Sequence, residues 1–155
     1  MISSIQNRLK ELGLILPKVE VPVANYLPYT QSGSLIHVSG QLPTLNGALI
    51  FTGKVNGSVS IEQGIECARQ CAINIVSQVN AACDGDLDRV TSIIRITGYV
   101  ASPPSFTNHP QIVNGASDCL VSIFGDKGRH TRVAIGCSSL PLDAPVEVDA
   151  VFEVS

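Results

Sequence analysis

Apolar residues recur along this chain with two periods, and the alternation between them lays out the elements. Over residues 60–83, Ile61, Ile65, Ala68, Ala72, Ile75, Val79 and Ala82 return every three or four positions. That spacing predicts a long helix with one continuous apolar stripe. Ser60 and Gln63 form a capping-box pair at its start. A second helix is predicted over 110–124, with Val113, Ala116, Leu120, Ile123 and Phe124 on its core side. A short amphipathic helix over 3–12 carries Ile5, Leu9 and Leu12 and stops at Gly13. Strand patterns cover 35–41, 90–101, 132–138 and 146–154, and in the second of these Ile94, Ile96, Gly98 and Val100 share a face. Residues 14–30 hold Pro17, Pro22 and Pro28 and read as extended, with an edge strand around 26–30. Asn46-Gly47 marks a turn into a short strand over 48–51.

The element order is therefore helix, strands, long helix, strand, helix, strand, strand. No repeat and no linker divides it, so 1–155 reads as one domain, with 1–20 a helical extension and 21–154 the core. This order predicts an α+β fold, a mixed sheet with two main helices packed on one face. The other face needs a cover. Charged residues are 15% of the chain, against about 25% in an average domain, so a second subunit is the expected cover.

Charge and cysteine content narrow the partners. Ten Lys and Arg against 13 Asp and Glu give a net charge of −3, the wrong sign for a dedicated nucleic-acid binder. No apolar run approaches the roughly 18 residues of a membrane span. The opening MISSIQNRLKELG lacks the apolar centre of an export signal. Five cysteines cannot all pair internally, so a cytoplasmic chain with reduced thiols is expected.

The last two strands carry the most chemistry. Side chains alternate along a strand, so Arg132, Ala134 and Gly136 share one face, with small residues leaving space beside a guanidinium. Glu147 and Asp149 share a face of the final strand. If those two strands pair, Arg132 and Glu147 face one cleft, where the arginine fork suits a carboxylate and the glutamate can orient water. A salt bridge on a solvated sheet is the plainer alternative. Cys67 and Cys71 share a helix face, but no second Cys or His pair follows at zinc-site spacing, so buried small thiols are the simpler reading. His37, His109 and His130 are isolated from one another and from any Ser-Asp pattern, which gives a hydrolase triad no support.

Five elements in order, Tyr26, Ser39-Gly40-Gln41-Leu42-Pro43, Asn114, Arg132 within HTRVAIGCSSLP, and VEVDA at 146–150, resemble the reactive-intermediate deaminase family (Rid, also YjgF or L-PSP), in its longer-chain branch. The resemblance implies a chorismate-mutase-like fold and a homotrimer with clefts between subunits. It implies hydrolysis of 2-imino acids, formed from enamines such as 2-aminoacrylate, to 2-oxo acids and ammonia, without metal or organic cofactor. It puts Arg132 on the substrate carboxylate and Glu147 on the attacking water. Tyr26, Ser39 and Asn114 would line the cleft, with backbone groups of Gly40 and Ala134 adding hydrogen bonds. Ala134 departs from the cysteine that several members carry there. The loop GDKGRH and the N-terminal extension could alter the mouth of the cleft. The plainer roles are a subunit-contact aromatic for Tyr26, a helix cap or pin for Asn114 and a backbone bond for Ser39. Two other functions stay open: a non-catalytic trimer that binds small carboxylates, which would need Arg132 but not Glu147, and an endoribonuclease.

Overall fold

A computed structural model describes residues 4–19 and 21–155. Its elements are α1 (Ser4–Glu11), β1 (Tyr29–Ser32), β2 (Leu35–Gln41), β3 (Thr44–Leu45), β4 (Ala48–Leu49), α2 (Ile61–Ala82), β5 (Val90–Ala101), α3 (His109–Phe124), β6 (Thr131–Cys137) and β7 (Val146–Val154). The expected start of the first helix at Ser3, and the ends of the 1–20 extension, lie outside the described residues. The expected α+β architecture holds. Five strands form one mixed sheet in the order β1-β2-β7-β5-β6, and β3 pairs with β4 in a separate hairpin. Every pairing in the large sheet is antiparallel except β5 with β6. Helix α2 lies over β2 and β7, and α3 lies over β5 and β6.

Strand order corrects one expectation. The last two strands do not pair, because β5 lies between β6 and β7. A parallel β5–β6 pair needs a crossover, and α3 supplies it. A second correction concerns β5. A register shift between Ile93 and Arg95 turns Ile93 toward the helices and leaves Ile94 exposed, while Ile96, Gly98 and Val100 keep the buried face. One extra residue in a strand flips every side chain beyond it, which period counting does not see.

Apolar residues of that buried face pack against α2 and α3. Ile36, Ile96, Val100, Val146, Val148 and Phe152 are fully buried, as are Ala68, Ala72, Ile75, Val79, Ile112 and Leu120 from the helices. Ser60 caps α2 reciprocally with Gln63, at 3.1 and 2.9 Å. The helix is more buried than one stripe predicts, since every residue from Cys71 to Val79 is covered. The reason is a third contact. Asn74 Nδ2 donates to the carbonyls of Leu42 and Thr44, both at 3.0 Å, and the Ser77 hydroxyl donates to the Pro17 carbonyl. These polar groups pin the segment after α1 and the approach to the hairpin onto the helix. Helix α1 docks elsewhere: Asp88 accepts from the backbone N–H groups of Ser4 and Ile5, at 3.0 Å each, and Arg8 Nε donates to the Ser122 carbonyl at 2.8 Å.

The two main helices touch backbone to backbone at Gly115, where an added Cβ would stand 2.1 Å from the Ile65 carbonyl oxygen. Gly115→Ala must therefore push α3 from α2, at about 1–3 kcal/mol for overpacking. Urea denaturation should show a lower midpoint at unchanged m. A midpoint equal to wild type would contradict this packing.

Candidate active site

Arg132 sits on β6, the edge strand, and points to the helix side of the sheet. Its Nη1 donates to Ser117 Oγ at 3.1 Å and its Nη2 to the Pro110 carbonyl at 3.3 Å, both on α3. No carboxylate of the described residues pairs with it. Ala134 follows on the same face and packs against the core. The space expected beside Gly136 is filled: a Cβ there would meet His109 Nε2 at 2.3 Å. Asn114, one turn before Ser117 on α3, is exposed, and its side chain makes no hydrogen bond among the described residues, so no cap or pin is formed.

Glu147 lies on the other face. In the β5–β7 register, Tyr99 stands opposite Glu147 and Thr97 opposite Asp149, while the buried Gly98 stands opposite Val148. In the β5–β6 register Arg132 is opposite the buried Ile96. One strand separates β6 from β7, and the sheet itself separates the two side chains. Neither the shared cleft within one chain nor the plain Arg132–Glu147 salt bridge is formed. Glu147 is half-buried without a hydrogen-bond partner among the described residues. Burial pushes its carboxyl above the ordinary value, and neighbouring Asp149 pushes the same way. Asp149 is held by the Tyr99 hydroxyl at 3.1 Å.

Three further residues gather on the Glu147 side. The β2–β7 register shifts between Val38 and Gln41, which places Ser39 and Gly40 in a bulge. Gly40 touches Glu147 so closely that a Cβ would lie 2.3 Å from its Oε1. The Ser39 hydroxyl donates to the Leu27 carbonyl at 2.6 Å, the backbone role weighed for it. Tyr26 is exposed beside them. A cavity of about 330 Å³ runs along Tyr26, Ser39 and Gly40 to Pro17–Val19, Asn74 and Gln78. The strap after α1, rather than the helix itself, lines this cavity, and Glu147 is not among its lining residues.

The candidate residues thus lie in two groups on opposite faces of one chain. One holds Arg132, Ser117 and Asn114 at the edge strand; the other holds Glu147, Gly40, Ser39 and Tyr26. Two participants escaped sequence reasoning. His130 Nε2 lies 2.8 Å from Ser117 Oγ, and His130 Nδ1 lies 2.6 Å from the Gly128 carbonyl. Only their joint arrival at Arg132 singles them out, and chain spacing carries no trace of it. His109 likewise meets Ser102 at 3.4 Å, beside a cavity of about 580 Å³ lined also by Phe106 and Cys137. Cys67 and Cys71 are buried, and burial pushes the Cys67 thiol up to about 12, with Glu66 adding to it. Such thiols behave as small apolar side chains.

The fold is an α+β sandwich that presents, at a sheet edge, an arginine with no carboxylate partner among the described residues. The chain matches, over residues 6–153, the family described as "YjgF/chorismate_mutase-like, putative endoribonuclease". It is 45% identical over 148 residues to protein TCP17 of Trypanosoma cruzi, covering 95% of this chain and 92% of that one. The crystal structure of Atu1372 from Agrobacterium tumefaciens, a protein of unknown function, superposes with a TM-score of 0.92 at 44% identity, over 97% of this chain and 92% of that chain. The YjgF gene product of E. coli superposes at 0.64 with 20% identity, over 86% and 91%, a likeness of fold. The chain belongs to the YjgF/chorismate-mutase-like family.

Glu147 yields a test of its cost. A carboxyl whose folded pKa is raised contributes stability at low pH, and that stability is lost as pH rises through the folded value. The ionised form therefore works against folding at neutral pH. Glu147→Gln should unfold at the same or a higher urea concentration than wild type at pH 7.5, with the gap closing in acid below the ordinary carboxylate range. A lower midpoint at pH 7.5 would assign Glu147 a structural role instead.

Proposed function

We propose that the protein hydrolyses small 2-imino acids to 2-oxo acids and ammonia, in clefts between the subunits of a homotrimer. The observation that carries this reading is the Arg132 guanidinium, braced from behind by Ser117 and the Pro110 carbonyl and with no carboxylate partner among the described residues. A planar fork in that state fits an incoming carboxylate two bonds at a time. The two faces of the sheet support a role for a second subunit. Glu147 is the half-buried carboxylate free to hold water, and it faces away from its own chain's Arg132. Exposed Ile94, Val133, Ile135, Tyr26 and Leu27 offer apolar surface for such an interface.

In the proposed reaction Arg132 fixes the substrate carboxylate and so the imine carbon. Glu147 from the neighbouring subunit accepts a proton from water as the water oxygen bonds to that carbon. With the imine nitrogen already protonated, this addition gives a neutral carbinolamine; its nitrogen takes the proton back from Glu147, the C–N bond breaks and ammonia leaves, while the hydroxyl gives its proton to Glu147 and the carbonyl forms. A carboxyl with a raised pKa suits both halves of that exchange, since it must carry the proton between steps. An imine is already electrophilic, so positioning supplies most of what is needed.

The test is release of 2-oxo acid or ammonia from enzymatically generated 2-aminoacrylate. Arg132→Ala should lower kcat/KM by roughly a hundredfold or more, because it removes two charge-assisted hydrogen bonds at about 1.5–3 kcal/mol each. Glu147→Gln should lower kcat by about a hundredfold or more, the usual contribution of a positioned acid–base group. Wild type no faster than the spontaneous reaction would overturn the reading. Retained binding of 2-oxo acids through Arg132 would then leave a carboxylate-binding module, and RNA cleavage that depends on Arg132 would leave a ribonuclease.

A further inference from the structure

Behind Arg132 lies a chain of hydrogen bonds for which the reaction as described has no use. It runs from the Gly128 carbonyl to His130, at 2.6 Å, on to Ser117 Oγ at 2.8 Å, and then to Arg132 Nη1 at 3.1 Å. Three elements supply it: the turn after α3, strand β6 and α3 itself. Gly128 is buried, and the rings and chains involved are half-buried.

Proton bookkeeping fixes the direction. A carbonyl oxygen only accepts, so the His130 nitrogen facing Gly128 is the one that carries hydrogen, Nδ1. In the neutral ring Nε2 is then bare and accepts the Ser117 hydroxyl proton. With its proton committed to His130, Ser117 turns lone pairs toward Arg132, and the guanidinium donates into them. Every proton has one acceptor. A serine whose lone pair is engaged by a guanidinium is a weak nucleophile, so this Ser–His contact is suited to holding rather than to attack.

We propose that Ser117 and His130 are positioning residues for the arginine clamp: they hold the Arg132 guanidinium in the orientation that takes a substrate carboxylate, and they do so while the His130 ring is neutral. The proposal rests on the carboxylate-binding role assigned to Arg132 above. Protonating His130 puts a hydrogen on Nε2, turns the Ser117 hydroxyl out of its place and sets a second positive charge one serine away from the guanidinium. Arg132 is the charged group acting on the ring; Asp118 on α3, and Asp126, Lys127 and Arg129 in the adjoining loop, are exposed. Burial holds the ring's pKa below its ordinary value, Arg132 lowers it further, and the Gly128 carbonyl works the other way. The clamp is therefore set at neutral pH and loosens on acidification below the ordinary histidine range.

Calorimetric titration of the intact protein with 2-oxobutanoate, a stable 2-oxo acid, tests this. Ser117→Ala and His130→Phe should bind it roughly tenfold more weakly at pH 7.5, the size of one hydrogen bond to a charged group. Ser117→Thr, which keeps the hydroxyl, and His130→Gln, which keeps an acceptor near the Nε2 position, should recover most of the loss. In turnover of 2-aminoacrylate the weakened variants should raise KM and leave kcat nearly unchanged. Wild-type affinity should fall on acidification below the ordinary histidine range, and His130→Gln should lack that break. If Arg132→Ala weakens binding while Ser117→Ala and His130→Phe bind like wild type, the positioning role is wrong and the clamp stands. If Arg132→Ala itself binds like wild type, the clamp is wrong and this role goes with it.

Discussion

The alternation of side chains across β5 and β7 governs the rest of the molecule. Ile96, Gly98 and Val100 on one strand, and Val146, Val148 and Ala150 on the next, must face α2 and α3 to be buried. Tyr99, Glu147 and Asp149 are thereby committed to the opposite face. The parallel register of β6 against β5 then sends Arg132 to the helix side, since it stands opposite the buried Ile96. A one-residue slip would expose the whole apolar set, so the placement of the two charged groups is enforced by the core rather than by any contact between them. Among the described residues, neither the arginine nor the glutamate has an ionic partner. A second subunit that brings the two together is the reading proposed above.

The two halves are built by different means. The Arg132 half is a rigid stack, a guanidinium lying on α3 between Ser117 and the Pro110 carbonyl. The Glu147 half depends on backbone shape: a bulge at Ser39 and Gly40 lets the carboxylate lie against a residue with no side chain. A strap of residues 14–19 and 21–28 lies beside Ser39 and Gly40, held by Ser77 on α2 and by Ser39 on Leu27. Polar residues buried in α2 thus connect the core to the strap and the hairpin. The extension at the chain's start contributes through this strap, while α1 serves to anchor it on α3 and at Asp88.

Much of this was legible from the sequence because it depends on local period. The capping pair Ser60–Gln63, the apolar stripes of α2 and α3, and the strands β2, β5 and β7 all announce themselves at short range. Strand order does not: nothing local says that β5 inserts between the final two strands, and the expectation of a common cleft for Arg132 and Glu147 failed on that point. The bulge that exposes Ile94 was hidden for the same reason, as one extra residue leaves composition unchanged. Asn74, Ser77 and Gln78 look like the polar face of a helix until the strap that covers them is in place. Ser117 and His130 are 13 positions apart and meaningful only once α3 and β6 lie together. Family resemblance pointed to Arg132 and Glu147, and the geometry adds that they belong to different halves.

Subunit mixing tests most directly whether the site is divided between chains. Arg132→Ala and Glu147→Gln proteins, each inactive on 2-aminoacrylate alone, are unfolded together in equal amounts and refolded. If the arginine of one subunit works with the glutamate of its neighbour, each mixed trimer contains one interface where both are intact, and random assortment restores about a quarter of the wild-type rate. A mixture no more active than its parents would contradict the account, because Arg132 and Glu147 would then not act together across a subunit interface.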